Sequence, residues 1–138
     1  MFTKKHISSC DIEITPRYNE TDQGGVVHHS VYPVYFEMGR TELLRANGFA
    51  YKDLEASGCA MVVAQLNIKY RGPAYYDQKI MVTTTCQRIT RARIEHSYIV
   101  KDAKTGKVIT EGQTTLACID GEGKMRSVPD FLFGMAPS

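Results

Sequence analysis

Residues 33–47 read PVYFEMGRTELLRAN and residues 59–70 read CAMVVAQLNIKY, and the fold turns on the change of period between them. Tyr32, Tyr35, Phe36, Leu43 and Ala46 recur at helical spacing. Pro33 suits the first turn of a helix, where its missing N–H costs nothing. Gly39 lies on the same stripe, where the absent side chain lets another backbone pack close. Asn47 and Gly48 form a helix stop. In the second stretch the period is two. Ala60, Val62, Ala64, Leu66, Ile68 and Tyr70 occupy every even position, which predicts a long strand with one thoroughly buried face.

Outward from this junction the pattern stays simple. Residues 51–57 predict a short further helix closed by Gly58. Residues 78–89, 93–101 and 107–120 read as three more strands, and residues 102–106 (DAKTG) as the hairpin turn between the last two. Residues 128–133 read as a short tail. Upstream, residues 11–18 (DIEITPRY) alternate as a strand, with Pro16 demoting its far end to an edge or bulge. The order is strand, helix, then four long strands. Short connections between strands mean antiparallel pairing. The expected fold is α+β, a five-stranded antiparallel sheet curled around one central helix, as a single domain over residues 1–138. Edges and one face of such a sheet need cover, so self-association is expected, as a dimer or a tetramer.

Composition narrows the function classes. The 138 residues are 43% hydrophobic and 23% charged, ordinary for a soluble globular domain. A formal net charge of +2 gives no reason to expect nucleic acid or an anionic membrane as the main partner. No run approaches the roughly 20 apolar residues of a membrane span. The N-terminal residues 1–7 carry charge without an apolar run behind them, so they do not read as a secretory signal, and a cytoplasmic location is expected. Cys10, Cys59, Cys86 and Cys118 form no paired motif and read as buried reduced thiols. No metal-ligand spacing is present.

Residues 17–45, RYNETDQGGVVHHSVYPVYFEMGRTELLR, hold the chemistry. A polar loop with Glu20 and Asp22 runs through Gly24 and Gly25 to His28 and His29, and then a helix begins. A helix start offers unpaired N–H groups and partial positive charge, which can hold a developing oxyanion. A carboxylate a few residues upstream can serve as base or nucleophile toward a carbonyl held there. From spacing alone the simpler reading of Asp22 is a turn cap. Adjacent histidines on an extended chain point opposite ways, so at most one is expected in a site. Glu37 and Arg40, one helical turn apart, read most simply as a surface ion pair.

The same segment resembles the 4-hydroxybenzoyl-CoA thioesterase-like branch of the hotdog superfamily. The residues that carry the resemblance are Arg17-Tyr18, Glu20-Thr21-Asp22, Gly25-Val26-Val27, His29, Tyr32, Glu37, Arg40 and the run from Thr41 to Arg45. Looser matches are Ile68-Lys69-Tyr70, Arg71-Gly72-Pro73-Ala74, Asp77 and Val128-Pro129. The resemblance implies a hotdog fold and hydrolysis of an acyl-CoA thioester. It implies Asp22 as the essential carboxylate, either nucleophile or general base on water. It implies a backbone N–H near His29 as oxyanion donor, and active sites at the interface of paired subunits. His29 itself is a further catalytic candidate. Gly25, Val27, Tyr32, Glu37, Met61 and Val63 are candidates for contact with the substrate, whereas Val62 reads as plain core. Arg88, Arg91, Arg93, Lys124 and Arg126 are candidates for the phosphates of coenzyme A, because arginine suits phosphate geometry. Coenzyme A is here part of the substrate, and no cofactor is implied.

Two other readings share this fold. A hotdog enoyl-CoA hydratase uses an Asp and a His four residues apart, whereas five residues separate Asp22 from His28 and six separate it from His29. A non-catalytic acyl-CoA scaffold has no need of a carboxylate beside an electrophile.

Overall fold

The computed structural model describes residues 6–137, so most of the N-terminal stretch read above lies outside the described residues. Six strands and two α-helices make up the regular structure of that range: β1 (Ser9–Ile14), α1 (Tyr32–Ala46), α2 (Tyr51–Ala56), β2 (Ala60–Tyr70), β3 (Ile80–Ile89), β4 (Ile94–Asp102), β5 (Val108–Ile119) and β6 (Met125–Arg126). The strands form one antiparallel sheet in the order β1-β3-β4-β5-β2, with β6 added beside β5 just past the start of β4. The expected α+β arrangement is therefore present, with a two-residue sixth strand that the pattern of residues 124–127 did not announce. The tail is a 3-10 helix, Asp130–Met135. The first strand ends before Pro16, and a 3-10 turn, Tyr18–Glu20, replaces its expected far end. None of the described helices is long and apolar enough to cross a membrane.

Why α1 sits where it does follows from two glycines. A Cβ on Gly39 would lie 2.1 Å from Thr84 Oγ1 on β3. A Cβ on Gly112 of β5 would lie 2.4 Å from the Phe36 ring. The Thr84 side chain and the Phe36 ring thus occupy space that any other residue would fill. Phe36 stacks on Tyr98 of β4, with centroids 4.3 Å apart. Around the first half of α1 the core holds Tyr32, Tyr35, Phe36, Ile80, Val82 and Val100. Around its second half it holds Leu43, Leu44, Leu54, Ile94, Leu116 and Leu132. Full burial of each such side chain contributes about 1.5–3 kcal/mol. Ala46, expected on the stripe, is exposed, and Leu44 takes its place. The reason is α2 and the C-terminal turn, which fold against the Leu44 side.

The strand β2 departs most from expectation. It is the sheet edge, and its register against β5 shifts between Val63 and Gln65. Met61, Val63, Leu66, Ile68 and Tyr70 pair with Cys118, Leu116, Thr114, Gly112 and Thr110, the face of β5 that bears on the helix. The irregularity therefore moves the inward set from odd to even positions partway along the strand. The even stripe that looked continuous is split, and Val62 is no core residue. Nor is the inner face buried: Val63 is 49% exposed, Leu66 42% and Tyr70 50%. The helix packs mainly over β1 and β3, leaving the inner side of β2 open.

The cysteines are all free. Cys59, Cys86 and Cys118 are buried and Cys10 is partly so. Burial pushes the Cys86 thiol up to about 11 and, with Cys59 beside it, the Cys118 thiol up to about 12.

Candidate active site

The polar loop between β1 and α1 is a closed hairpin. Thr21 bridges Val27. The Asp22 N–H donates to Val26 O at 2.8 Å, and the His28 N–H donates to Glu20 O at 2.9 Å. Val27 is anchored on the far side, its N–H donating to Ala74 O at 2.8 Å and its side chain buried in the core. Glu20 ties this hairpin to the helix. Its Oε1 accepts from the Arg17 N–H at 2.8 Å and from the Tyr35 hydroxyl at 3.0 Å. Burial, and after it the neighbouring Glu20 carboxylate, push that hydroxyl well above the usual tyrosine range, so it stays a donor.

Asp22 stands at the exposed tip of the hairpin. Its Oδ1 accepts from the Gly24 N–H at 2.8 Å and, at a longer 3.4 Å, from the Val26 N–H. The turn-cap reading is thus correct for one oxygen. Oδ2 takes no hydrogen bond from any described residue. Gly25 completes the turn with φ of +80°, a left-handed conformation that favours glycine.

The two histidines lie together. Their ring centroids are 4.2 Å apart, contrary to the expectation that neighbours diverge. That expectation assumed extended backbone, but a 3-10 turn, His29–Val31, begins at the second residue. His28 caps this turn: its Nδ1 accepts from the Ser30 N–H at 3.2 Å. The Val31 N–H donates to His28 O at 3.0 Å. The His29 N–H has no acceptor among the described residues. The His29 carbonyl accepts from the Tyr70 hydroxyl at 2.9 Å, at the end of β2. Tyr70 also meets Tyr32 edge-on at 5.7 Å, and Tyr32 is buried. Tyr70 therefore positions the helix start, a role that its place in a run of strand residues gave no sign of.

Other expected site residues lie elsewhere. Glu37 is exposed on α1 and makes no ion pair with Arg40. Arg40 turns inward instead, donating from Nη1 to the Tyr98 hydroxyl at 3.4 Å. Met61 and Val63 sit at the opposite end of β2 from Tyr70, Met61 with its sulfur 3.5 Å from Cys118 Sγ. Arg91 and Arg93 project from the exposed hairpin joining β3 to β4, next to exposed Arg88. Arg126 is held by carbonyls, with Nη1 donating to Ser57 O at 2.7 Å and Nε to Ser127 O at 3.0 Å. Lys124 is 3.8 Å from the Glu122 carboxylate. The candidates thus form two groups. One surrounds Asp22 and Tyr70; the other surrounds Met61 and the arginines. The length of β2, about 30 Å at the usual rise per residue, separates them within one chain.

Comparison with known proteins gives a consistent result. Residues 16–133 match the model of the thioesterase-like superfamily. The chain is 35% identical over 112 residues to the acyl-CoA thioesterase YbgC of Haemophilus influenzae, covering 80% of each. A DHNA-CoA thioesterase structure from Staphylococcus aureus superposes with a TM-score of 0.81 at 33% identity, over 91% of this chain and 83% of that one. The 1,4-dihydroxy-2-naphthoyl-CoA thioesterase Slr0204 from Synechocystis superposes with a TM-score of 0.84 at 18% identity, over 92% and 95%. The last likeness concerns the fold alone, which is the hotdog arrangement expected above.

Proposed function

The chain belongs to the thioesterase-like superfamily, and from that membership we propose that it hydrolyses acyl-CoA thioesters with Asp22 as the central carboxylate. One observation carries the reading of the site. A carboxylate with a free oxygen and an unpaired N–H, that of His29, are held on one hairpin at the start of α1.

The chemistry follows from these parts. A thioester carbonyl is weakly stabilised by its sulfur and is electrophilic. The His29 N–H and the helix start polarise it, and a preorganised donor of this kind is worth about 3–4 kcal/mol of barrier. Asp22 Oδ2 attacks the carbonyl carbon, or takes a proton from water that attacks it. The C–S bond breaks, the thiolate leaves and is protonated, and water supplies the acid's second oxygen. A thiolate leaves without a strong general acid. His29 contributes its backbone N–H, and its ring lies beside that of His28 at the mouth of the site.

Two chains complete the site. The exposed edge β2 is long and apolar, whereas the other edge, β1, carries Asp11 and Glu13 and is short. Charges and brevity protect an edge; β2 has neither protection at its centre. Antiparallel pairing of β2 with its copy sets the Tyr70 end of one strand beside the Ala60 end of the other. The two separated groups of candidates then meet: Asp22, Gly25, His29 and Tyr32 of one chain face Met61 and Val63 of the next. The exposed Arg88, Arg91 and Arg93 have no carboxylate within ion-pair distance among the described residues, and they are the better candidates for the coenzyme A phosphates. Arg126, already engaged, is a weaker one.

The experiment is release of free thiol from a panel of aromatic and aliphatic acyl-CoAs, by wild type and by Asp22→Asn. Asparagine keeps Oδ1 as an acceptor for Gly24 and Val26, so the hairpin survives. Turnover is expected to fall roughly a thousandfold, about 4 kcal/mol of barrier, with the melting temperature little changed. Full turnover in the variant would remove Asp22 from the mechanism.

A further inference from the structure

Hydrogen bonds that begin well outside the site set the position of Asp22. The Asp22 N–H donates to Val26 O at 2.8 Å, and Asp22 Oδ1 accepts from the Val26 N–H at 3.4 Å. Val26 in turn bridges Tyr75, and the Val27 N–H donates to the carbonyl of fully buried Ala74. Ala74 and Tyr75 belong to the loop 71–79 between β2 and β3. At its start the loop is pinned to β5, where the Arg71 and Gly72 N–H groups donate to Ile109 O at 2.8 and 3.0 Å. Gln78 closes its other end. Gln78 Oε1 accepts from the Tyr75 N–H at 2.9 Å, and Nε2 donates to Asp102 Oδ2, at the end of β4, at 2.7 Å.

The two partners of Gln78 dictate an amide there. A backbone N–H only donates and a carboxylate only accepts, so the bridge needs one acceptor and one donor on the same group, which a primary amide supplies. Asp102 stays ionised. The Thr105 N–H, then the Gln78 amide and the Lys104 N–H, hold its carboxyl down to about 2. Its Oδ1 takes both backbone N–H groups at 2.8 Å, which leaves Oδ2 for Gln78. Asp77, next to Gln78, has φ of +65°, a left-handed conformation strained for a residue with a side chain. Such strain persists where the surroundings over-determine it, and strained residues gather at functional sites. Here the Asp77 N–H donates to Pro16 O at 3.1 Å, while Gln78 holds the next residue. Resting on the thioesterase reading above, we infer that Gln78 is a positioning residue, which through Tyr75 and Val26 holds the Asp22 carboxylate in place against the helix start. Gln78 makes no contact with Asp22 and acts on turnover from a distance. A displacement of about 1 Å at a reacting group can lower turnover about a hundredfold.

The test reverses the polarity of the bridge and reads kcat and KM for the acyl-CoA that wild type hydrolyses best. Gln78→Glu removes the donor and sets a second carboxylate against Asp102. Its kcat is expected to fall at least about tenfold, with KM within about twofold of wild type. In the double variant Gln78→Glu with Asp102→Asn, the asparagine amide donates back to the introduced carboxylate, and its oxygen keeps the bonds from Lys104 and Thr105. Its kcat is expected to return to within about threefold of wild type, a non-additive rescue. Asp102→Asn alone leaves the bridge with one donor too many and should lose turnover as Gln78→Glu does; it decides the matter if Gln78→Glu does not fold. Single variants that melt earlier but keep the wild-type kcat would assign Gln78 to the fold alone and overturn the inference. A double variant no faster than the singles would overturn it too. A wild type that releases thiol from none of the acyl-CoAs would remove the thioesterase reading, and this inference with it.

Discussion

His96 shows how one buried side chain ties stability to pH. Burial, and then the neighbouring Arg40 charge, hold its imidazole down to about 3. The ring is therefore neutral in the native state at every ordinary pH, while in the unfolded chain it titrates near 6.5. A group that binds its proton only when unfolded favours unfolding as protons become available. The stability that His96 leaves intact is fully present above about pH 6.5 and is lost progressively as pH falls toward 3, at up to about 1.4 kcal/mol per pH unit. Chemical denaturation between pH 7 and pH 4.5 is expected to show this slope in wild type and a shallower one in His96→Gln. Equal slopes in both proteins would mean that other groups carry the acid sensitivity.

At the scale of elements, the contact between α1 and β3 sets everything downstream. Gly39 lets the helix backbone lie on Thr84, and that height above the sheet fixes where the helix start and its unpaired N–H sit. Gly39→Ala puts a methyl group 2.1 Å from Thr84 Oγ1, so either the side chain or the helix must move. Overpacking of this kind costs about 1–3 kcal/mol, a drop of roughly 3–10 °C in melting temperature. Because the shift displaces α1, turnover is expected to fall as well. A variant as stable and active as wild type would show that the helix has slack at this point.

At the scale of the whole molecule, one apolar sheet edge is uncovered. The longest edge strand leaves Val63, Leu66 and Tyr70 open to water. An apolar edge of this length is a pairing surface. Leu66→Asp, at the middle of β2, places a charge at the expected two-fold centre. Light scattering after gel filtration is expected to show wild type at twice the chain mass or a multiple of it, and the variant shifted to one chain. On the proposed two-chain site, thioesterase activity should drop at least tenfold with the shift. A folded variant that keeps the wild-type mass would place the interface elsewhere.

What the sequence determined by itself was local. The limits of α1, the stop at Asn47 and Gly48, the close approach at Gly39 and the turn at residues 102–106 all appear in the structure. Each is set by interactions within one turn or by one residue's missing atoms. The polar loop read at residues 19–25 likewise lies between β1 and α1, because its turn formers are contiguous in the chain. Tertiary structure decided what depends on distant partners. The irregularity at Val63–Gln65 reverses the face of β2, and no residue there marks it; only pairing with β5 does. His28 and His29 come together because the backbone changes conformation between them. Arg40 leaves its helical neighbour Glu37 for Tyr98, 58 residues away, because the helix is turned toward the sheet. Periodicity records which residues avoid water. It does not record which strand becomes an edge, and in this chain that strand is β2, the one the pattern read as most thoroughly buried.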